Sequence, residues 1–139
     1  MNSRSPLALL ALFAASGCLA QTLQVELHEV QHDRGTLRIA VYADPQGFLK
    51  PDQAFATREL AAEPGTVMVE FEVGPGRYAV LAYHDEDDNG QLNRRLGMFP
   101  AEGYGLSNNP RVMGPPSYEA SAFEVADEPL TRVEIQLRY

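Results

Sequence analysis

Val67–His84 reads VMVEFEVGPGRYAVLAYH, and this stretch decides the fold. Val67, Val69, Phe71 and Val73 alternate with Met68, Glu70 and Glu72. A period of two gives one apolar face to a β-strand but none to a helix turning every 3.6 residues. Gly74-Pro75-Gly76 then breaks the run, and Arg77–His84 resumes as a segment apolar on both faces, which marks a central strand. The same rhythm continues upstream. Leu23, Val25 and Leu27 alternate with Gln24, Glu26 and His28; after Asp33-Arg34-Gly35, Leu37, Ile39 and Val41 alternate with Arg38, Ala40 and Tyr42. This pair predicts a hairpin. Downstream, Phe123 and Val125 precede Asp127-Glu128-Pro129, and Val133, Ile135 and Leu137 close the chain on a strand. Helix signals are confined to Pro51–Thr57 (PDQAFAT), where proline suits a first helical position and Asp52 a first turn. The expected architecture is all-β, an antiparallel immunoglobulin-like sandwich of about seven strands with one long irregular loop. A membrane β-barrel would need at least eight strands with lipid-facing apolar bands and aromatic girdles, which the pattern does not provide.

With 139 residues the chain has the length of one domain, and residues 21–139 are read as a single β-sandwich domain. Arg4 followed by the nine-residue apolar run Leu7–Ala15 reads as a signal peptide over residues 1–20, too short to span a bilayer. Two processing routes compete. Cleavage before Gln21 follows small residues at Cys18 and Ala20, whereas Ala15-Ser16-Gly17-Cys18 forms a loose lipobox that would place a lipid anchor on Cys18. The expected location is therefore periplasmic or secreted, with lipid anchoring in the envelope as the alternative. Removing residues 1–20 takes away Arg4 and no acidic residue, leaving 10 basic groups against 19 acidic ones, a net charge of −9. That sign argues against a nucleic-acid partner and disfavours anionic membrane surfaces. Cys18 is the sole cysteine, so the mature chain has no internal disulfide and no cysteine chemistry.

Two stretches leave the strand rhythm: Asp85–Asn93 (DEDDNGQLN) and the Gly-, Pro- and Asn-rich Gly97–Tyr118. Asp85, Asp87 and Asn89 occupy alternate positions, Gly90 follows, and Asn93 comes three residues later. This is the front of an EF-hand-type calcium loop, in which a hard cation gathers six to eight oxygens at about 2.3–2.6 Å from alternate side chains. Gly90 permits the turn that presents the Gln91 carbonyl. The candidate Ca2+ ligands are Asp85, Asp87, Asn89, Gln91 and Asn93, while Glu86 and Asp88 are expected to point outward. The match fails at the twelfth position, where Leu96 replaces a bidentate glutamate, so a further carboxylate would be needed for tight binding. The bland reading of DEDDNG is a solvated turn, since Asn-Gly is a strong hairpin signal. His28, His32 and His84 lack zinc-site spacing, and Ser107, Ser117 and Ser121 lack a nucleophile context, so all are read as structural. In the long segment, Met98, Phe99, Tyr104 and Tyr118 line a pocket or cap an open end of the sandwich, and capping is the expectation.

Gly74–Val80, Tyr83–Asn93, the run Gly103-Tyr104-Gly105-Leu106-Ser107-Asn108-Asn109 and Gly114–Tyr118 together resemble a bacterial exported family, domain of unknown function 2141. The similarity covers nearly the whole mature chain. Leu106 stands where that family commonly has Phe, and Asn93 where it usually has Asp, which removes one charge from the loop. Pro75-Gly76-Arg77-Tyr78 is also similar to transthyretin-like and collagen-binding-B-type sandwich modules, which are mostly non-enzymatic. The resemblance implies a fold and export but no reaction. Two functions follow as expectations: a non-catalytic module serving an envelope or extracellular partner, or a small hydrolase or carbohydrate-active enzyme using two carboxylates about 5–10 Å apart beneath Tyr104.

Overall fold

The computed structural model describes residues 20–139, so the expected leader, Ala20 apart, lies outside the described residues. Ten strands and two helical turns follow in order: β1 (Gln21–Val30), β2 (Thr36–Tyr42), a 3-10 turn (Pro51–Gln53), β3 (Ala56–Ala61), β4 (Gly65–Val73), β5 (Gly76–Asp85), β6 (Arg94–Arg95), β7 (Phe99–Pro100), β8 (Tyr104–Leu106), α1 (Tyr118–Ser121), β9 (Phe123–Val125) and β10 (Leu130–Gln136). One sheet has the order β10-β1-β4; the other has β3-β2-β5-β8, with β9 also on β5; β6 and β7 form a ribbon of their own. The alternating residues meet between the two sheets. Leu23, Val25 and Leu27 of β1, Phe71 and Val73 of β4 and Ile135 of β10 pack into one core with Leu37, Ile39 and Val41 of β2 and Val80 and Ala82 of β5. Burying each large side chain contributes about 1.5–3 kcal/mol, which holds the sheets face to face without a disulfide. The expected all-β sandwich is the observed one, and β5 is central and buried on both faces: Ala79 joins Tyr42 and Tyr118 in a second cluster outside the main core.

Four local expectations change. The predicted hairpin is absent, because β1 and β2 lie in different sheets. β1 shifts register between Leu27 and Val30, with Glu29 at φ 65°, and the chain crosses over instead of folding back. Strands facing one core from opposite sides carry the same alternation as hairpin partners, so the pattern cannot tell these apart. β1 also pairs in parallel with β10, so the first sheet is mixed. The helical signal at Pro51–Thr57 is spent in a single 3-10 turn, Pro51–Gln53, after which β3 runs beside β2. Finally, the aperiodic Gly97–Tyr118 segment contains β8, paired with β5 from Leu81↔Leu106 to Tyr83↔Tyr104. A methyl on Gly105 would stand 2.5 Å from Ile135 Cγ2 and 2.7 Å from the Gln136 carbonyl oxygen, so this strand needs a residue that strand propensity disfavours. Gly105→Ala is expected to destabilise by about 2 kcal/mol through overpacking, seen as a lower urea midpoint at unchanged slope.

Candidate functional site

β5 ends at Asp85, whose partner at the start of β2 is Thr36. The Asp85 side chain is wholly buried, and both of its oxygens accept hydrogen bonds. Oδ2 accepts from Arg38 Nε at 2.7 Å and from the Gly90 amide at 2.8 Å, and Oδ1 accepts from the Asn89 amide at 3.0 Å. The loop is thereby wrapped around this one carboxylate. Asp87 Oδ1 accepts from the Asn89 amide at 3.2 Å, and its Oδ2 accepts from Asn89 Nδ2 at 3.2 Å and Asn93 Nδ2 at 2.7 Å. Asn89 Nδ2 also donates to Asn93 Oδ1 at 2.6 Å, and the Gln91 amide donates to Asn89 Oδ1 at 2.8 Å. Asp85, Asp87, Asn89 and Asn93 are thus brought together, with Gln91 joined through its main chain.

A residue missed in the sequence completes the group. Glu102, 5% exposed, reaches in from the segment before β8; its Oε1 accepts from the Glu86 amide at 3.0 Å and its Oε2 from the Asn93 amide at 2.9 Å. One oxygen each of Asp85, Asp87 and Glu102 lies within 4.8 Å of the others. At an effective dielectric near 20, two like charges at such a separation repel by on the order of 3 kcal/mol. Arg38 is the one cationic side chain hydrogen-bonded into the group among the described residues, so three negative charges face one positive charge. Such a donor set suits a hard, oxygen-seeking cation. The signal available in the sequence was that Glu102 is the sole acidic residue of Gly97–Tyr118.

Burial opposes ionisation of Asp85, but the Arg38 guanidinium and the Gly90 and Asn89 amides outweigh it and hold the carboxyl below its usual range. A folded-state value below the unfolded one contributes stability above the unfolded value, near 3.9 for aspartate, and loses it as pH falls through the folded value. Thermal unfolding followed from pH 6 to pH 2 is therefore expected to weaken below about pH 4, and Asp85→Asn is expected to flatten that limb.

Asp88 is exposed, as expected, and Glu86 half-buried, but each makes a hydrogen bond to another segment. Glu86 Oε1 is hydrogen-bonded by His32 Nε2, and Asp88 Oδ1 accepts from Thr36 Oγ1 at 2.6 Å. Both tie the acidic loop to the β1–β2 connection, where Gly35, at φ 75°, passes so close that a Cβ would sit 2.1 Å from the Asp85 carbonyl oxygen. The histidines are engaged in the fold, and His32, His84 and Glu86 bring one ligand atom each within 4.8 Å of the others. Buried His84 donates from Nε2 to the Arg34 carbonyl at 2.6 Å and accepts at Nδ1 from the Tyr139 hydroxyl at 2.7 Å; His28 Nδ1 meets Thr66 Oγ1 at 3.1 Å. The Ser107 hydroxyl accepts from the Val80 amide at 2.9 Å and donates to the Ser121 carbonyl, holding β8 on β5.

The recess beside Tyr104 is lined by residues such as Leu106, Asn109, Val112 and Arg138 and has no carboxylate in its wall. Tyr118 is buried in the second cluster, packed against Tyr42 and Phe48 with its hydroxyl donating to the Arg77 carbonyl at 2.8 Å. Met98 and Phe99 do not cap; both are largely exposed. Among the described residues no helix is long and apolar enough to cross a membrane. No curated protein and no solved structure matches the chain. A family model does match, across residues 25–133, and the chain belongs to the family described as "Uncharacterized protein conserved in bacteria (DUF2141)".

Proposed function

We propose that this chain is an exported, non-catalytic binding or structural module whose Asp85–Asn93 loop, completed by Glu102, holds one calcium ion. The observation that carries this reading is the meeting of the Asp85, Asp87 and Glu102 carboxylates at one point. Asn89, Asn93 and the Gln91 carbonyl supply the remaining oxygens. The Gly90 amide already braces Asp85 Oδ2, which leaves Oδ1 directed by a single amide and able to take an ion on its second lone pair. The role of the ion is mechanical. Asn93 and Glu102 flank the ribbon of β6 and β7 on either side, so neutralising their neighbours' repulsion clamps the base of that ribbon and the start of β8 to the end of β5. The loop face so ordered is the surface offered to an envelope or extracellular partner. Export is supported by the leader composition, and mass spectrometry of the mature N-terminus would distinguish Gln21 from a lipidated Cys18.

Arg38 withdraws part of the site's negative charge, and Asn93 contributes none, so the affinity belongs with extracellular modules, Kd on the order of 10⁻⁴ M. Calorimetric titration of chelator-treated protein tests this reading. One bound ion and a thermal shift are expected, since ligand at about 100 times Kd adds about 2.7 kcal/mol to stability. Absence of both heat and thermal shift at millimolar calcium would end it.

A further inference from the structure

The ribbon formed by β6 and β7 belongs to neither sheet and carries an unusual load. Arg94 pairs with Pro100 and Arg95 with Phe99, and the connection Leu96-Gly97-Met98 forms its tip. Leu96 is 87% exposed, Met98 68% and Phe99 60%. Leu96 also stands at φ 54°, a left-handed conformation that a bulky side chain adopts rarely. Neither burial nor backbone preference accounts for leucine there, and an outlier of this kind points toward use.

Charge indicates what the tip meets. Between Asn93 and Ala101 there are two arginines and no acidic residue, in a chain whose residues 21–139 carry a net −9. Among the described residues no carboxylate pairs with Arg94 or Arg95. Leu96 and Met98 lie at the tip of the ribbon, Arg95 level with Phe99 one residue behind and Arg94 one further, an order that matches the passage from acyl chains to phosphates. A protein partner would need about 800 Å² on each side, far more than three side chains on a ribbon tip offer.

We propose that Arg94–Pro100 docks on an anionic lipid surface, seating Leu96, Met98 and Phe99 at the headgroup boundary with Arg94 and Arg95 on the phosphates. The chain's negative charge does not forbid this, because Asp87 and Glu102 are held at Asn93, about three residues or ~10 Å of strand from the tip, and screening acts over about 8 Å at physiological ionic strength. The proposal stands without the calcium reading. A bound ion would strengthen docking by offsetting Asp87 and Glu102 at the ribbon's base.

The chain contains no tryptophan, so Phe99→Trp, at an exposed position, places a single reporter on the tip of the full chain. It is mixed with phosphatidylglycerol or phosphatidylcholine vesicles, with calcium and with chelator. Emission is expected to move to shorter wavelength on phosphatidylglycerol, and brominated acyl chains to quench it, in at least one of the two conditions. Because the reporter is on the tip, attachment through residues 1–20 alone would not produce this signal. Arg94→Gln and Arg95→Gln are each expected to weaken partitioning about five-fold. No shift on either vesicle, an equal shift on phosphatidylcholine, or a shift without vesicles that grows with protein concentration would each overturn the proposal, the last in favour of a second copy. Dependence on calcium is separate: docking that is equal in chelator leaves the proposal intact and takes away only the ion's part in it.

Discussion

Glu102→Gln is expected to weaken calcium binding about 100-fold and to lower the stability of the ion-free protein as well. Both effects follow from one feature, that each Glu102 oxygen accepts a main-chain amide, from Glu86 on one side and Asn93 on the other. A glutamine keeps one acceptor but turns an NH2 group toward the other amide, so two donors face each other in a buried place. Leaving a buried amide unsatisfied costs about 1–3 kcal/mol. The lost charge is a further subtraction, since a divalent site holding two carboxylates beside Arg38 has little net negative charge left. Calorimetry and thermal denaturation with chelator separate the two losses. A variant that loses stability but binds calcium as tightly as before would remove Glu102 from the ligand set.

The second large effect concerns a position that offers no oxygen to an ion. Gly35→Ala is expected to destabilise the protein by about 3–4 kcal/mol, the sum of left-handed strain and a steric clash with main chain that cannot move aside. A Cβ there would lie 2.1 Å from the Asp85 carbonyl oxygen and 2.8 Å from Glu86 Cα. Relief requires the β1–β2 connection to lift from the acidic loop, which would strain the Thr36–Asp88 and His32–Glu86 hydrogen bonds. For a chain of this size the melting temperature should fall by roughly 10 °C or more. Calcium affinity in the folded variant should fall too, because Asp85 is shared by both structures. An unchanged melting temperature would mean that the two loops are not docked as described.

The strands were legible because burial on one face writes itself as a period of two, and β5 declared its central place by being apolar on both. Pairing was not legible. Leu23–Leu27 and Leu37–Val41 present the same alternation whether they lie side by side or across the core, and only the shift after Leu27 separates the cases. β8 was hidden because Gly105 answers to Ile135 instead of to strand propensity. The loop motif delivered Asp85, Asp87, Asn89 and Asn93 as neighbours, since every second residue of a coiling chain faces inward. Glu102 lies 17 residues beyond Asp85 in sequence, and no spacing rule spans a ribbon and the start of another strand. The partners of Glu86 and Asp88 were hidden for a related reason: alternation sets a direction away from the centre but is silent on whether another loop waits there.

The most direct measurement is a crystal structure of the protein grown in calcium. The account predicts a single ion coordinated at about 2.3–2.6 Å by oxygens of Asp85, Asp87 and Glu102, with Asn89, Asn93 or the Gln91 carbonyl completing the shell. Asp85, Asp87 and Glu102 holding only their amide and asparagine partners, with no ion between them at millimolar calcium, would contradict it.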